Sequence, residues 1–297
     1  MQAAEVGIRL QTWLLKLIAP PVPLPMTTVY DGKSKLSMLF GPAFLRDVRG
    51  LAVLDYGCGA GSEVIEMAKA GAARVVGVDR QERLLEIGRE RAAREGVAAV
   101  CHFAAAAPDE EVDLVVSLDS FEHFAAPETE LRRMYELLKP GGHLVASWGP
   151  PWYHPYGSHL LELPPWSHIL FCEAAIMRWR ALMRNDGATR YSELAEGLNQ
   201  MSISRFERIV RGSRFRVEYL KAVPIRKLRY LHNRFTREFT SSIVVCRLRK
   251  PTVDQLQSVT AEQRKETVAV IQGVDAGDCA SKVVSPGIDE GRKLRNR

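Results

Sequence analysis

Three glycines alternate along the segment VLDYGCGAGS. They are Gly57, Gly59 and Gly61, and they follow Asp55 and an apolar run that predicts a buried strand. A strand that passes through glycines into a helix brings bare backbone close to a ligand and aims helix N–H groups at it. Asp79 ends the second predicted strand, 18 residues after Gly61, where a carboxylate can accept hydrogen bonds from both hydroxyls of a ribose. The spacing therefore predicts a site for a nucleoside-containing ligand.

A second group of side chains with chemical potential lies further along the chain. Three histidines and three large aromatic residues follow the fifth predicted strand: Tyr153, His154, Tyr156, His159, Trp166 and His168. His123 follows the fourth predicted strand. An imidazole titrates near neutral pH and can act as a general base. Two interpretations remain open, a substrate pocket with a histidine base or a lid whose histidines are satisfied by backbone groups.

Metal and disulfide chemistry are both disfavoured by spacing. His154, His159 and His168 are separated by prolines and a glycine in a pattern that matches no zinc site, so no metal is predicted. The five cysteines are scattered, odd in number, and contain no C-x-x-C pair. This usage favours a reducing, cytoplasmic location over a disulfide framework.

The elements that must position these residues alternate regularly from residue 51. Short apolar runs predict strands at LAVLDYG, RVVGVDR, AVCHFAA, VDLVVSLD and HLVASWG, with helical patterns between them. The alternation predicts right-handed βαβ units in a parallel sheet, and such sheets bind ligands outside the carboxyl ends of their strands. Later segments predict a helix at ILFCEAAIMRWRALMR, a short Ser-capped helix at SISRFERIVRGS, and strands at FRVEYLKAVPI and EFTSSIVVCRLRK.

Four ordered features resemble the class I S-adenosylmethionine-dependent methyltransferases. They are motif I in VLDYGCGAGS, the strand-two acid Asp79, the segment SLDSFEHF and the turn and strand LLKPGGHL, together covering residues 51–148. The resemblance implies an α/β fold, a Rossmann-like seven-stranded mixed sheet with an N-terminal helical cap and an insertion after strand five. It also implies S-adenosyl-L-methionine as the cofactor of a methyltransferase enzyme.

The resemblance further implies roles by position. Asp55, Gly57, Cys58, Gly59 and Gly61 would line the methionine and ribose part of the cofactor, Asp79 would hold the ribose hydroxyls with Arg80 beside the adenine, and Asp119 and Ser120 would border the cofactor after strand four. The sequence departs from the family at FAAAAPDE, which has no acid directly at the end of strand three.

For catalysis we predict His123, His154 or His159 as a base. For the substrate pocket we predict Tyr153, Tyr156, Trp166 and His168. Tyr30 and Lys33 either reach the methionine end or belong to an ordinary connector.

Charge and apolar pattern bear on partners. Residues 178–250 hold 18 Lys and Arg against 6 Asp and Glu, a net charge of +12, within a chain whose net charge is +6. This basic block fits a small anionic acceptor, a nucleic acid or a solvated surface, and nucleic acid is disfavoured because no aromatic-interleaved binding signature occurs there.

Residues 8–18 predict an amphipathic helix that packs on the domain, with peripheral membrane contact as the alternative.

The predicted organisation has three parts. Residues 1–44 form an N-terminal helical cap, residues 45–250 a methyltransferase domain with a substrate-side insertion at 150–212, and residues 251–297 a largely disordered tail. The predicted function is methyl transfer to a small organic acceptor, at oxygen or nitrogen rather than carbon. The alternatives are a nucleic-acid methyltransferase that uses the basic block and a cofactor-binding protein without turnover. The sequence defines neither the acceptor nor the oligomeric state.

Overall fold

The computed structural model describes residues 2–19, 33–161, 163–184 and 186–252. The strands are β1 Ala52–Tyr56, β2 Arg74–Val78, β3 Cys101–Ala104, β4 Val112–Leu118, β5 Leu138–Trp148, β6 Arg216–Pro224 and β7 Ser241–Arg249. The helices are α1 Gln2–Ile18, α2 Lys35–Phe40, α3 Phe44–Asp47, α4 Ser62–Lys69, α5 Glu82–Arg94, α6 Pro127–Leu137, α7 Ser167–Leu170, α8 Glu173–Arg180, α9 Ile203–Gly212 and α10 Arg237–Thr240. Short 3-10 helices occupy His159–Leu161, Tyr191–Glu193 and Arg226–Leu231. Beyond Thr252, the tail predicted at 251–297 lies outside the described residues.

The strands form one mixed sheet in the order β3-β2-β1-β4-β5-β7-β6. Strands β1 to β5 pair in parallel, whereas β7 runs antiparallel to both β5 and β6. This arrangement confirms the predicted Rossmann-like seven-stranded mixed sheet. The chain winds outward in one direction from β1 and in the other from β4, so the strand order reverses between these neighbours. In open α/β sheets, ligands bind at this reversal, outside the carboxyl ends of the strands.

Apolar side chains bury both faces of the sheet, because the central strands are apolar on both sides. On one face, α6 and α9 contribute Met134 and Phe206 to the core. On the other, α4 and α5 contribute Met67 and Leu85, and α2 adds Leu36. The burial leaves polar groups to the strand ends and loops, which is where the candidate site lies.

The segment between β5 and α9 has a small core of its own, which α1 completes. Leu15 of α1 is fully buried and packs with Ile176 and Trp179 of α8. The single helix predicted at ILFCEAAIMRWRALMR is wrong, since α7 ends at Leu170 and α8 begins at Glu173. The break is stabilised from outside the segment, because the Cys172 N–H donates to Gln11 Oε1 at 2.8 Å.

Helices α4 and α5 approach strand β3 through two glycines and one aromatic ring. A Cβ atom built on Gly61 would lie 2.4 Å from Cε1 of Phe103, and one built on Gly88 would lie 2.6 Å from the same atom. Both distances are shorter than any non-bonded carbon–carbon contact, so a side chain at either position would have to displace the Phe103 ring. The close packing fixes the start of α4, and with it the end of the glycine loop.

Candidate active site

The glycine loop between β1 and α4 combines a close contact with an open space. Gly57 and Gly59 have φ values of 88° and 52°, in the region that favours glycine. A Cβ on Gly57 would lie 2.3 Å from Ser120 Oγ, so the segment after β4 packs directly on the loop. At Gly59 no atom would lie within 4 Å of a Cβ. Gly57 is therefore needed for packing, whereas Gly59 borders space that a ligand could fill.

Asp79 holds the loop from the end of β2. Its Oδ2 accepts a hydrogen bond from the Gly59 N–H at 3.0 Å, and its Oδ1 accepts one from the Gln81 N–H at 2.9 Å. Arg80, the neighbour of Asp79, is exposed. The carboxylate is half-buried and stands beside the open space at Gly59, which is the position predicted for a ribose-binding acid.

Asp55 places a buried carboxyl group beneath the same loop. The residue is 2% exposed, and among the described residues its Oδ2 has no hydrogen-bond partner. Burial raises the pKa of this carboxyl well above its ordinary value, and Glu63 raises it further, while Lys35 opposes the shift. A buried oxygen without a partner is rare and fits a donor supplied by a ligand, such as an ammonium group.

Cys58 is a packing residue of the loop. Its side chain is buried, and burial, reinforced by Asp55, raises the pKa of the thiol. The thiol is therefore neutral near pH 7 and unsuited to act as a nucleophile.

An ion pair links the N-terminal part of the chain to the end of β4. Lys35 Nζ, in the first turn of α2, contacts Asp119 Oδ2 across 84 positions of sequence. Asp119 has a φ of 50°, which is uncommon for a residue other than glycine, and its N–H donates to Ser147 O at 2.8 Å. Lys35 thus brings a cation to the site, a feature that the sequence analysis did not identify. Lys33 is exposed, and Tyr30 lies outside the described residues.

Glu122 is a second buried carboxyl group that the sequence analysis did not identify. It is 3% exposed, and its Oε1 accepts a hydrogen bond from the Gly149 N–H at 2.9 Å, at the end of β5. Its Oε2 has no partner among the described residues. Burial, followed by the charge of Asp119, raises the pKa of Glu122 to about 8. A carboxyl that titrates near neutrality can hold or release a proton at physiological pH.

His123 is held in one orientation by the backbone. Its Nδ1 lies 2.7 Å from Gly197 O, which assigns the proton to Nδ1 and leaves a lone pair on Nε2. Nε2 lies 4.0 Å from Glu196 Oε2. The His123 N–H donates to Ser120 O at 2.9 Å, so this histidine follows directly from the segment that packs on Gly57. The arrangement is suited to accepting a proton at Nε2.

The three histidines of the insertion after β5 are His154, His159 and His168. The ring of His159 lies 5.5 Å from that of His123, measured between centroids. Burial lowers the pKa of both His154 and His159 to about 4, so both are neutral at pH 7. His154 Nδ1 accepts a hydrogen bond from the Tyr156 N–H at 3.0 Å. His168 is buried, with Nε2 2.6 Å from Trp152 O, which is the contact expected of a packing residue.

The predicted aromatic residues lie at the outer side of this group. Tyr153, Tyr156 and Trp166 are each more than one third exposed. Trp166 Nε1 donates to Tyr153 O at 3.1 Å, and the ring of Tyr153 lies 5.4 Å from that of Phe239. In the described ranges, no group of three or more His, Cys, Asp or Glu side chains is placed to hold a metal ion.

The comparison with protein families decides how this geometry is interpreted. Residues 54–146 match the family model of a methyltransferase domain. The match covers 93 of the 297 residues. The match confirms the predicted resemblance to methyltransferases over the part of the chain that holds motif I, Asp79 and the two later segments.

Curated relatives share this methyltransferase domain over part of their length. The ubiquinone biosynthesis O-methyltransferase of Roseobacter denitrificans is 39% identical over 137 residues, which cover 44% of this chain and 50% of that protein. The ribosomal protein L11 methyltransferase of Marinobacter nauticus is 38% identical over 106 residues, 34% of each chain. An S-adenosylmethionine-dependent methyltransferase from Mesorhizobium loti has a TM-score of 0.47 at 18% identity, covering 70% of this chain and 96% of that one. The chain therefore spans about half the length of the first of these relatives. The family-model match ends at residue 146, before the insertion that follows β5.

Within the methyltransferase domain, the structure brings most of the predicted site residues together. The glycine loop, which holds Gly57 and Gly59, contacts Asp79 and the segment after β4, and it follows directly from Asp55. His123 continues from the segment after β4. From the insertion, His159 lies beside His123, with 5.5 Å between the ring centroids. The contacts of Tyr153, Trp166 and His168 described above are with other residues. Their roles as base or substrate contacts, like those of the cofactor residues, stay predictions.

Proposed function

We propose that this protein transfers a methyl group from S-adenosyl-L-methionine to an oxygen atom of a small organic acceptor. The observation that carries the proposal is the glycine loop, with open space at Gly59, a carboxylate of Asp79 beside it and the unpartnered Oδ2 of Asp55 beneath it. Oxygen as the accepting atom is supported by relatives that match part of this chain and are named ubiquinone biosynthesis O-methyltransferases.

The acceptor oxygens and the bare backbone around the glycine loop fit different parts of the cofactor. Asp79 can bind the ribose hydroxyls, and the bare backbone at Gly59 allows the nucleoside to approach. Asp55 would accept hydrogen bonds from the ammonium of the methionine part, because its buried oxygen otherwise lacks a donor. When bound, S-adenosyl-L-methionine supplies a methyl group on a sulfonium, which is already activated for displacement.

The protein then has to orient the acceptor, exclude water and accept a proton. His123 is the base that we propose, since its Nδ1 contact with Gly197 leaves Nε2 able to accept the proton of an acceptor hydroxyl. Tyr153, Tyr156 and Trp166 provide aromatic surface beside the histidine group and are proposed to enclose the acceptor. The basic block at 178–250 favours an acceptor that carries a negative charge.

Calorimetry with S-adenosylhomocysteine tests the cofactor site directly. The variant Asp79→Ala should weaken binding by about 1–3 kcal/mol, the magnitude of lost charge-assisted hydrogen bonds. Asp79→Asn keeps one acceptor oxygen and should lose less. Absence of binding by the natural sequence, or unchanged binding by Asp79→Ala, would reject the assignment.

A pair of glycine variants separates the open space at Gly59 from general backbone strain. Gly59 and Gly96 have φ values of 52° and 72°, and neither would bring a Cβ within 4 Å of another atom. Both changes to alanine should therefore cost about 1 kcal/mol in stability. Gly96 follows α5 at the opposite end of the sheet, so Gly59→Ala alone should weaken S-adenosylhomocysteine binding. Equal binding by the two variants would remove Gly59 from the site.

The role of His123 is tested by turnover rather than by cofactor binding. With a panel of small hydroxylated aromatic acids as acceptors, His123→Gln should lower the turnover of any acceptor used by a factor of about 10²–10⁴. Its affinity for S-adenosylhomocysteine should not change. His143→Gln is a matched control, because His143 pairs with Glu218 on the sheet and lies outside the site. Parallel loss of thermal stability and cofactor affinity in His123→Gln would instead indicate a packing role.

A further inference from the structure

Helix α1 exposes most of its large apolar residues to solvent. Only one side of the helix packs on the insertion, where Leu15 is fully buried and Thr12 Oγ1 lies 3.3 Å from Ala175 O of α8. Glu5, Arg9 and Lys16 form a charged strip next to this buried side, as follows from about 100° of rotation per residue. The remaining side is apolar and faces solvent.

The exposed side is continuous and wide. It consists of six large apolar residues, each more than one third exposed: Val6, Leu10, Trp13, Leu14, Leu17 and Ile18. At about 100° per residue these positions span an arc of about 140°. A water-facing helix ordinarily turns such an arc to the core, so a contiguous exposed patch indicates an interaction surface.

The end of α8 and the turn that follows it add positive charge near α1 and further exposed apolar residues. Leu182 and Met183 are 60% and 52% exposed, in the turn that follows α8. Arg178 and Arg9 both contact Glu5, at 2.7 and 3.0 Å, and Arg184 is exposed beside Met183. Cations therefore border the apolar surface on the side where α1 and α8 meet.

We infer that this surface, named here the α1 face and formed by the exposed apolar residues of α1, lies on an anionic lipid membrane. A helix with an apolar arc that contains tryptophan, bordered by lysine and arginine, is suited to lie in the plane of the membrane interface. Bordering cations add attraction to anionic headgroups. Across the described ranges, no helix has the length and apolar content needed to cross a bilayer.

Sedimentation with vesicles tests this inference on the full chain. The protein should pellet with vesicles of phosphatidylcholine mixed with phosphatidylglycerol, and less with phosphatidylcholine alone. The double variant Trp13→Glu with Leu17→Glu should weaken binding at least about tenfold, because it removes apolar contact and adds two like charges. The matched control is Leu231→Glu with Phe235→Glu, which changes two exposed apolar residues on another part of the surface and should bind as the natural sequence does.

Two further measurements keep the outcome decisive. Thermal melts should show that both double variants fold, since all four side chains are more than half exposed. Lys16→Glu should reduce binding to the anionic vesicles more than to phosphatidylcholine. A natural protein that stays in solution, or a Trp13→Glu with Leu17→Glu variant that binds unchanged, would overturn the inference. A dimer that this variant dissociates, without vesicle binding by the natural sequence, would assign the α1 face to a second copy of the chain instead.

Discussion

Replacing Glu122 by glutamine should change how the stability of the protein depends on pH. Burial raises the pKa of this carboxyl from 4.5 to about 8. Between these values the folded protein holds a proton that the unfolded chain has released, so stability falls as the pH rises. The slope is about 1.4 kcal/mol per pH unit for one such group. Glutamine keeps an oxygen that can accept the Gly149 N–H but has no proton to release, so the variant should lack this contribution.

Urea unfolding of both proteins at about pH 5.5 and about pH 7.5 measures the difference, with an expected upper limit of about 2.7 kcal/mol over the two units. The other titrating groups are shared by both proteins, so comparing their free energies of unfolding isolates Glu122. Glu128→Gln is the control, since Glu128 is exposed on α6 and its replacement should give no pH-dependent difference. If the stability difference between the natural protein and Glu122→Gln is the same at both pH values, the raised pKa is refuted.

Three shorter predictions concern the same surroundings and the basic block. Lys35→Met removes the cation that lowers the pKa of Glu122, so the pH-dependent loss of stability should extend to higher pH in the same urea experiment. Gly57→Ala should lower the free energy of unfolding by more than the roughly 1 kcal/mol expected for Gly50→Ala, since Gly50 has a φ of 75° but no atom near its Cβ; equal losses would contradict the contact with Ser120. Residues 178–250 should not bind tRNA or duplex DNA tightly at physiological salt, and a salt titration that shows tight, steeply salt-dependent binding would contradict this.

The sequence was sufficient to predict the glycine loop and its acidic partner because both depend on local pattern. Gly57, Gly59 and Gly61 follow a run of apolar residues that must be a strand, and Asp79 ends the next such run. The same alternation predicted the parallel strands β1 to β5, and the structure confirms the seven-stranded mixed sheet that the family resemblance implied.

The two missed residues depend on contacts between distant parts of the chain. Glu122 follows the buried Phe121, which was a weak signal of burial, but its raised pKa depends on burial by distant parts of the chain and on the charge of Asp119. The hydrogen bond from Gly149, 27 positions away, opposes that shift. Lys35 meets Asp119 across 84 positions, and no local pattern reports such a pair. Helix α1 was predicted from its periodicity, yet which of its sides would be buried depended on α8.

The ring of Phe103 couples the effects of substitutions at two glycines, one just before α4 and one within α5. Because Gly61, which precedes α4, and Gly88 of α5 both face its Cε1 atom, a side chain added at either position must displace the same ring. Once one substitution has displaced it, the second meets less resistance, so their costs cannot be independent. A smaller residue at position 103 would therefore make room for a side chain at both glycines, but at Gly61 the φ of 71° would still disfavour it, so Gly88 is the position that such a change would free.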